Sequence, residues 1–210
     1  ENIIMARIKR YNLNIKTSKL AVIGLGYVGL PLAIEFGKKF KVVAFDKDQE
    51  RMEQISQGFD RTGQLEKEEI ELSDYLVITD DPKLLTECSV FIVTVPTPVD
   101  QDNKPDFSSL EGASEMIGKY INKGDVVIYE STVYPGATRE VCIPILESSS
   151  KLEFNRDFFC GYSPERINPG DKIHKLKDIM KVTSGSNPEI ATFVDELYKT
   201  IIEAGTYKAE

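Results

Sequence analysis

The chain is poor in the residues that hold disulfides and metal ions. It has three cysteines, Cys88, Cys142 and Cys160, which lie far apart and form no C-x-x-C pair. Such spacing supports neither a disulfide framework nor a zinc site. The single histidine, His174, lies in a polar stretch and is expected to be solvated. We therefore expect no bound metal, and we expect the three cysteines to be buried small side chains rather than nucleophiles.

Long apolar runs and an excess of basic residues are also absent. No segment approaches the length needed to cross a bilayer, and no signal peptide is visible, so we expect a cytoplasmic protein without membrane contact. Lysine and arginine number 26 against 34 aspartates and glutamates, and the net charge of −8 argues against nucleic acid as a partner. With 210 residues, 41% of them hydrophobic, the chain is long enough for one large α/β domain.

The most informative stretch, residues 20–46, reads LAVIGLGYVGLPLAIEFGKKFKVVAFD. An apolar strand pattern leads into Gly24, Gly26 and Gly29, spaced G-x-G-x-x-G, and a helical segment follows. The first glycine permits a sharp turn, the second lets a pyrophosphate approach the backbone, and the third lets the helix lie close to the sheet. A second strand pattern then ends at Asp46, whose carboxylate can accept hydrogen bonds from the hydroxyls of an adenosine ribose.

This context favours a dinucleotide site over an ordinary glycine-rich turn without a ligand. The carboxylate of Asp46 would repel the additional phosphate of NADP, and the next residues, Lys47 and Asp48, form no clear basic clamp. NAD is therefore the predicted cofactor.

The rest of the chain alternates between apolar runs and helical patterns. Further strands are predicted at 76–79, 89–95, 125–129, 158–161 and 179–183, and helices at 48–58, 66–72, 81–87, 108–121, 137–146 and 188–202. Continuous apolar runs predict a mainly parallel sheet with helices on both faces, an α/β doubly wound fold of the Rossmann type. The first 18 residues are expected to be an extension, whose basic stretch 7–10 favours a short amphipathic helix.

Ligands in such folds lie beyond the carboxyl ends of the strands, a rule that selects the loops 24–29, 46–51, 96–98 and 130–135. Other interpretations stay open for several of their residues. Thr97 could cap a strand end, and Ser131 with Thr132 could cap the next helix. Arg51 could pair with Asp48 or Glu50 on a helix surface.

Five motifs occur in order: GLGYVGLPLA (24–33), FDKDQERM (45–52), VPTP (95–98), ESTVYPGAT (130–138) and YSPERINPGD (162–171). Together they resemble the NAD-binding domain of the UDP-glucose/GDP-mannose dehydrogenase family, over residues 19–205. The SPERINPGD segment is most similar to the branch acting on UDP-N-acetylglucosamine or UDP-N-acetylmannosamine, whose products feed surface polysaccharides such as capsules. Enzymes of this family oxidise the sugar C6 alcohol to a carboxylate in two hydride transfers, consuming two NAD.

The resemblance implies roles for individual residues. The cofactor-binding residues would be Gly24, Gly26, Tyr27, Val28, Gly29, Asp46, Arg51, Pro96, Thr97, Ser131 and Thr132. Among them, Val28 would offer its amide to the pyrophosphate and Arg51 would lie near the adenosine end. Thr132 and Glu165 would border the reacting carbon as catalytic residues, and Glu165, Arg166 and Ile167 would touch the nucleotide sugar. Without the resemblance, Glu165 would be taken as a surface acid paired with Arg166.

The family's nucleophilic cysteine, in a G-x-C-x-x-K-D type motif, lies downstream of the SPER segment and outside this chain. The UDP-glucose branch also carries a second acid where this chain has Pro169, so the acid–base roles of that branch are not transferred.

We expect residues 19–210 to form the NAD-binding domain, without the family's central helical and C-terminal UDP-sugar-binding domains. Alone it should bind NAD but remain inactive, while the full-length protein is expected to be a homodimer or higher oligomer. The alternatives are a UDP-glucose or GDP-mannose 6-dehydrogenase and a stand-alone NAD-binding regulatory module.

Overall fold

The computed structural model describes residues 7–8, 13–71, 75–99, 102, 104–167 and 175–209. The strands are β1 (Arg7–Ile8), β2 (Leu13–Asn14), β3 (Leu20–Ile23), β4 (Val42–Phe45), β5 (Leu76–Thr79), β6 (Val90–Val93), β7 (Val126–Tyr129), β8 (Phe159–Tyr162), β9 (Lys181–Gly185) and β10 (Thr206–Lys208). The helices are α1 (Gly29–Gly37), α2 (Gln49–Ser56), α3 (Lys67–Glu71), α4 (Ser108–Gly118), α5 (Ile143–Ser150) and α6 (Pro188–Lys199). Short 3₁₀ segments cover Pro82–Glu87 and Leu176–Asp178.

Eight strands form one sheet in the order β10-β9-β8-β7-β6-β3-β4-β5. Neighbouring strands run parallel except β8 and β9, which are antiparallel. Strands β3, β4, β6 and β7 are buried along their whole length, as expected when both faces of a sheet are covered. The mainly parallel, doubly wound sheet predicted from the sequence is therefore confirmed.

The helices bury separate apolar clusters on the two faces of the sheet. One cluster includes Leu30 and Phe36 of α1 together with Phe193 of α6. The cluster on the opposite face includes Ile117 of α4 and Leu146 of α5. Because each strand alternates its side chains between the faces, β3 contributes Leu20 and Val22 to the first cluster and Ala21 and Ile23 to the second. This packing on both faces fixes the position of the glycine turn that follows β3.

Several local predictions differ from the structure. Arg7 and Ile8 form β1, which pairs antiparallel with β2 and lies beside α6, so the predicted helix at 7–10 is wrong where it is described. The predicted helix at 137–146 is a π-helical turn, Thr138–Cys142, followed by α5. Pro144 has no N–H to donate to the preceding turn, which accounts for the break in regular helix. Strand β10 was not predicted, and residues 168–174, with Pro169 and His174, lie outside the described residues.

Candidate cofactor and substrate site

Two adjoining clefts lie at the carboxyl edge of the sheet, where β3 has β4 on one side and β6 on the other. The larger, of about 550 Å³, is bordered by the glycine turn, the end of β4 and one side of α4. The smaller, of about 340 Å³, is bordered by the loops that follow β6, β7 and β8. Both share the lining residues Gly26, Tyr27, Thr94, Val95 and Pro96. The two clefts therefore form one continuous groove at the topological switch point of the sheet.

The glycine turn has the geometry that the sequence predicts. Gly24 has a φ of +93°, a conformation that other residues rarely adopt. A Cβ added at Gly29 would lie 1.8 Å from the carbonyl oxygen of Gly24, so only glycine lets α1 begin this close to the strand end. A Cβ at Gly26 would meet no atom within 4 Å, because this residue faces the open groove. A ligand can therefore approach the backbone at Gly26.

Free backbone donors lie beside that open position. In the part of the chain that the structure describes, the amides of Tyr27 and Val28 donate to no protein acceptor, and both residues line the smaller cleft. They immediately precede α1, whose aligned peptide dipoles favour negative charge at this end. The turn thus fits a pyrophosphate, with Gly26 giving access and two amides available to donate.

Asp46 immediately follows β4 and lines the larger cleft. Its Oδ2 accepts a hydrogen bond from the amide of Leu25 at 2.7 Å, and its Oδ1 accepts one from the amide of Asp48 at 3.0 Å. A carboxylate has about four lone-pair sites, so two remain for the hydroxyls of a ribose. The two backbone bonds fix the carboxylate and also attach it to the glycine turn.

Arg51 is not a helix-surface residue. Its side chain is 1% exposed, its Nε donates to the carbonyl oxygen of Leu25 at 2.7 Å, and its Nη2 donates to Oδ1 of Asp60 at 2.7 Å. The alternative in which the Arg51 side chain pairs with Asp48 or Glu50 on the helix surface is therefore wrong. The Nη1 atom of Arg51 is buried and has no partner among the described residues. Arg51 also lines the larger cleft.

Asp60 organises the loop that closes the larger cleft. It accepts hydrogen bonds from Arg51, from Thr62 and from the amides of Gln64 and Leu65. Burial alone would raise the pKa of Asp60, but the hydrogen bonds from Thr62 and Arg51 leave this pKa below its usual value. Nothing in the local sequence signals this aspartate, whose partner Arg51 lies nine residues earlier.

Other lining residues were also missed by sequence reasoning. Arg61 pairs with Asp48 at 2.6 Å, and this hydrogen bond lowers the pKa of Asp48 and raises that of Arg61. Thr94 is buried beneath the glycine turn and donates to the carbonyl oxygen of Gly24 at 2.7 Å. Other missed positions of the larger cleft, distant in the sequence from the glycine turn, include Thr62, Ser109, Gly112, Ala113 and Met116. They come from α4 and the loop after α2, which approach the groove only in the folded chain.

The loops after β6 and β7 are joined by two side-chain hydrogen bonds. Thr97 donates its hydroxyl to the carbonyl oxygen of Thr132, and Ser131 donates its hydroxyl to that of Val95, both at 2.6 Å. Thr97 is thus bonded to the neighbouring loop. The next helical segment begins only at Thr138, so Ser131 and Thr132 do not cap it. Thr132 is exposed and lines the smaller cleft. Pro96, Thr97 and Ser131 line the same cleft.

The structure separates the three residues expected to touch the substrate. Glu165 lines the smaller cleft, and its Oε1 accepts hydrogen bonds from the amides of Arg166, at 2.6 Å, and Ile167. Its Oε2 is buried without a partner in the described part of the chain. Arg166 is exposed, whereas the side chain of Ile167 belongs to the core. Of the three, Glu165 alone is among the residues that line the smaller cleft.

The three cysteines are buried, as predicted. Burial raises the pKa of Cys88 to about 12 and that of Cys142 to about 11, and it raises the pKa of Cys160 as well. Such thiols do not ionise near neutral pH and are poor nucleophiles.

Among the described residues there is no cluster of metal-ligating side chains, and none of their helices is long and apolar enough to span a membrane.

A parallel sheet with a glycine turn, free amides and a terminal aspartate at its switch point defines a dinucleotide-binding domain. Residues 18–202 match the family model described as "UDP-glucose/GDP-mannose dehydrogenase family, NAD binding domain". The chain belongs to this family, and its cofactor is NAD.

Known relatives resemble nearly all of this chain. It is 59% identical over 194 residues to a UDP-N-acetyl-D-glucosamine 6-dehydrogenase of Pseudomonas aeruginosa, covering 92% of this chain and 46% of that protein. It is 53% identical over 192 residues to the Salmonella typhi protein of the same name, covering 91% and 45%. A solved UDP-D-ManNAc dehydrogenase of Pyrococcus horikoshii superposes with a TM-score of 0.81 at 31% identity, covering 90% of this chain and 46% of that one. The chain thus spans about half the length of the curated relatives it matches.

Proposed function

We propose that this chain is the cofactor-binding half of a UDP-N-acetylhexosamine 6-dehydrogenase, which oxidises the sugar C6 alcohol to a carboxylate with two NAD for surface polysaccharide synthesis. The observation that carries the proposal is the continuous groove. One end has the glycine turn and Asp46, and the other has Thr132 and Glu165. An adenosine at the first end would place the nicotinamide beside the side chains of the second.

Each end of the groove has a distinct task in this proposal. The amides of Tyr27 and Val28 bind the pyrophosphate, and Asp46 binds the ribose, with Arg51 behind it. When bound, NAD accepts the hydride. The smaller cleft orients the nicotinamide through Pro96, Thr97, Ser131 and Thr132.

The substrate end depends on Glu165. Glu165 lines the cleft, and its carboxylate, whose Oε2 has no partner among the described residues, would accept a proton or hold a water molecule near the sugar C6, with Thr132 on the neighbouring loop. Arg166 would contact the nucleotide sugar through its exposed side chain. Ile167 would contribute only its backbone, because its side chain is in the core.

The choice of sugar follows the relatives. Two proteins named UDP-N-acetyl-D-glucosamine 6-dehydrogenase are 59% and 53% identical to this chain, whereas the UDP-D-ManNAc dehydrogenase structure is 31% identical. We therefore place UDP-N-acetylglucosamine first among the substrates, ahead of UDP-N-acetylmannosamine. UDP-glucose and GDP-mannose are the alternatives.

The reaction also needs a nucleophile that this chain does not provide. Cys88, Cys142 and Cys160 are buried in the domain. We propose that the cysteine comes from the half of the protein that the relatives have in addition, together with the helical and UDP-sugar-binding domains and the contacts of a dimer. Residues 19–210 alone would then bind NAD without turnover.

The test is NADH formation by the full-length protein with a panel of UDP and GDP sugars. We expect turnover with UDP-N-acetylglucosamine and two NADH formed per sugar oxidised. Turnover of UDP-glucose but not of the N-acetyl sugars would overturn the proposed substrate. If NAD binds but no nucleotide sugar is oxidised, the chain is a regulatory NAD-binding module instead.

A further inference from the structure

A group of three buried polar side chains, Glu130, Lys181 and Tyr198, lies beneath the smaller cleft. The Nζ atom of Lys181 is 2.5 Å from Oε2 of Glu130, and the hydroxyl of Tyr198 donates to Oε1 of the same carboxylate. The Lys181 ammonium also lies 5.6 Å from the centre of the Tyr198 ring. None of the three is more than 1% exposed. We call this group the Lys181 cluster.

The Lys181 cluster connects directly to the loop that carries Glu165. Besides Glu130, the Lys181 ammonium donates to the carbonyl oxygen of Pro164 at 3.3 Å, and Pro164 immediately precedes Glu165. Glu130 itself lines the smaller cleft beside Glu165. The same lysine thus bonds both the loop after β7 and the loop after β8.

The loop has a second, independent attachment. The amide of Ser163 donates to the carbonyl oxygen of Tyr129 at 3.0 Å, and its hydroxyl donates to that of Val182 at 2.7 Å. These bonds fix the start of the loop at the sheet edge. The bond from Lys181 then holds the next residue, Pro164, at the point where the loop continues to Glu165.

A buried charged cluster such as this one is weak evidence for a role in stability. Apolar residues of similar volume often replace a buried ion pair without loss of stability, because desolvation offsets the attraction of the charges. Burial raises the pKa of Glu130 although the Lys181 ammonium opposes this, and the charge of Glu165 adds to the rise. The charge of Glu165 also raises the pKa of Tyr198. The cluster and Glu165 therefore interact electrostatically as well as through the backbone.

We propose that Lys181 is a positioning residue for Glu165. By donating hydrogen bonds both to Oε2 of Glu130 and to the carbonyl oxygen of Pro164, it holds the 163–167 loop so that Glu165 stays at the smaller cleft. This inference rests on the proposed function, in which Glu165 acts at C6. It adds Glu130, Lys181 and Tyr198 to the residues on which the reaction depends, although Lys181 and Tyr198 do not line the cleft.

The first experiment needs no nucleotide sugar. Amide chemical shifts of the 210-residue chain are compared for the wild type, Lys181→Met and the double variant Glu130→Gln/Lys181→Met. We expect the amides of Arg166 and Ile167, which bond to Glu165, to shift in both variants while those of the glycine turn stay in place. Lys177→Met, which removes an exposed lysine paired with Glu203, is the control and should shift neither group. Unchanged Arg166 and Ile167 amides in Lys181→Met would overturn the proposal.

The second experiment separates positioning from stability in the full-length protein. Lys181→Met should lower kcat by about 10²-fold, the effect of a small misplacement of a reacting group, with the Kd for NAD unchanged. The double variant removes the unpaired carboxylate, so its thermal stability should recover while kcat stays low. If kcat recovers together with stability, the cluster is only structural. If the wild type oxidises no nucleotide sugar, the proposed function fails, and the amide shifts still decide the positioning role.

Discussion

Nη2 of Arg51 lies 2.7 Å from Oδ1 of Asp60, and both side chains are buried. Through its Nε, the same guanidinium bonds the carbonyl oxygen of Leu25 in the glycine turn. This pair therefore connects the turn to the loop after α2, two segments that border the larger cleft from different sides.

Asp60→Asn should lower the free energy of unfolding by about 3–5 kcal/mol, because it leaves the Arg51 charge buried without its partner. Urea denaturation of the 210-residue chain measures this change. The control is Arg61→Ala, which removes an Arg–Asp pair of similar length whose side chains are 43% and 40% exposed. We expect a loss of about 0–1 kcal/mol there. Equal losses in the two variants would contradict the buried role of Arg51.

Substitution of two glycines of the turn by alanine should affect different properties, stability at Gly29 and NAD binding at Gly26. Gly29→Ala places a methyl group 1.8 Å from the Gly24 carbonyl oxygen, so we expect a loss of about 3 kcal/mol in stability. Gly26→Ala meets no protein atom within 4 Å and should leave stability unchanged, yet its methyl group would keep the pyrophosphate away from the backbone. Thermal unfolding and NAD titration of both variants test this. Unimpaired NAD binding by Gly26→Ala would mean that the cofactor does not approach the turn at this residue.

The thiols should be inert in the folded chain. Because burial raises the pKa of Cys88 to about 12 and of Cys142 to about 11, a thiolate-directed reagent at pH 8 should modify the three cysteines only slowly. All three should react at once after denaturation, which serves as the control. Rapid modification of one thiol in the native protein would reopen the question of a nucleophile within this chain.

Asp125 should make stability decrease with rising pH. Burial raises its pKa from 3.8 to about 7, so the folded chain holds a proton that the unfolded chain releases between these values. Its contribution to stability is complete below about pH 4 and is lost as the pH rises through 7, at about 1.4 kcal/mol per pH unit at most. Asp125→Asn retains an acceptor for the amide of Asn122 and should flatten this slope in urea denaturation from pH 4 to pH 8. An unchanged slope would show that Asp125 is ionised in the folded chain.

The sequence predicted the parts of the groove that depend on local pattern. Gly24, Gly29 and Asp46 lie within one strand–helix–strand unit, where spacing along the chain determines position in space. The buried strands followed from continuous apolar runs for the same reason. Local patterns also identified the loops after β6 and β7 as parts of the predicted ligand site.

Contacts between distant segments could not be predicted. Glu130 meets residues that lie 51 and 68 positions away in the sequence, Lys181 and Tyr198. Each looks ordinary in its own segment, and only the folded sheet brings them together. Asp60 and Arg51 are closer, but the pattern of α2 favours a surface arginine, and burial depends on how the following loop folds back. The π-helical turn at 138–142 differs from these contacts, because its cause, Pro144, is a local feature of the sequence inside an otherwise helical pattern.

Calorimetric titration of the 210-residue chain with NAD and NADP tests the groove and its aspartate together. We predict that NAD binds and that NADP binds far more weakly, because the Asp46 carboxylate accepts the ribose hydroxyls and repels the extra phosphate. Asp46→Ala should therefore weaken NAD binding and reduce the difference in affinity between NAD and NADP. Equal affinity for the two cofactors, or an Asp46→Ala variant that binds NAD as well as the wild type, would contradict the placement of the adenosine ribose beside Asp46.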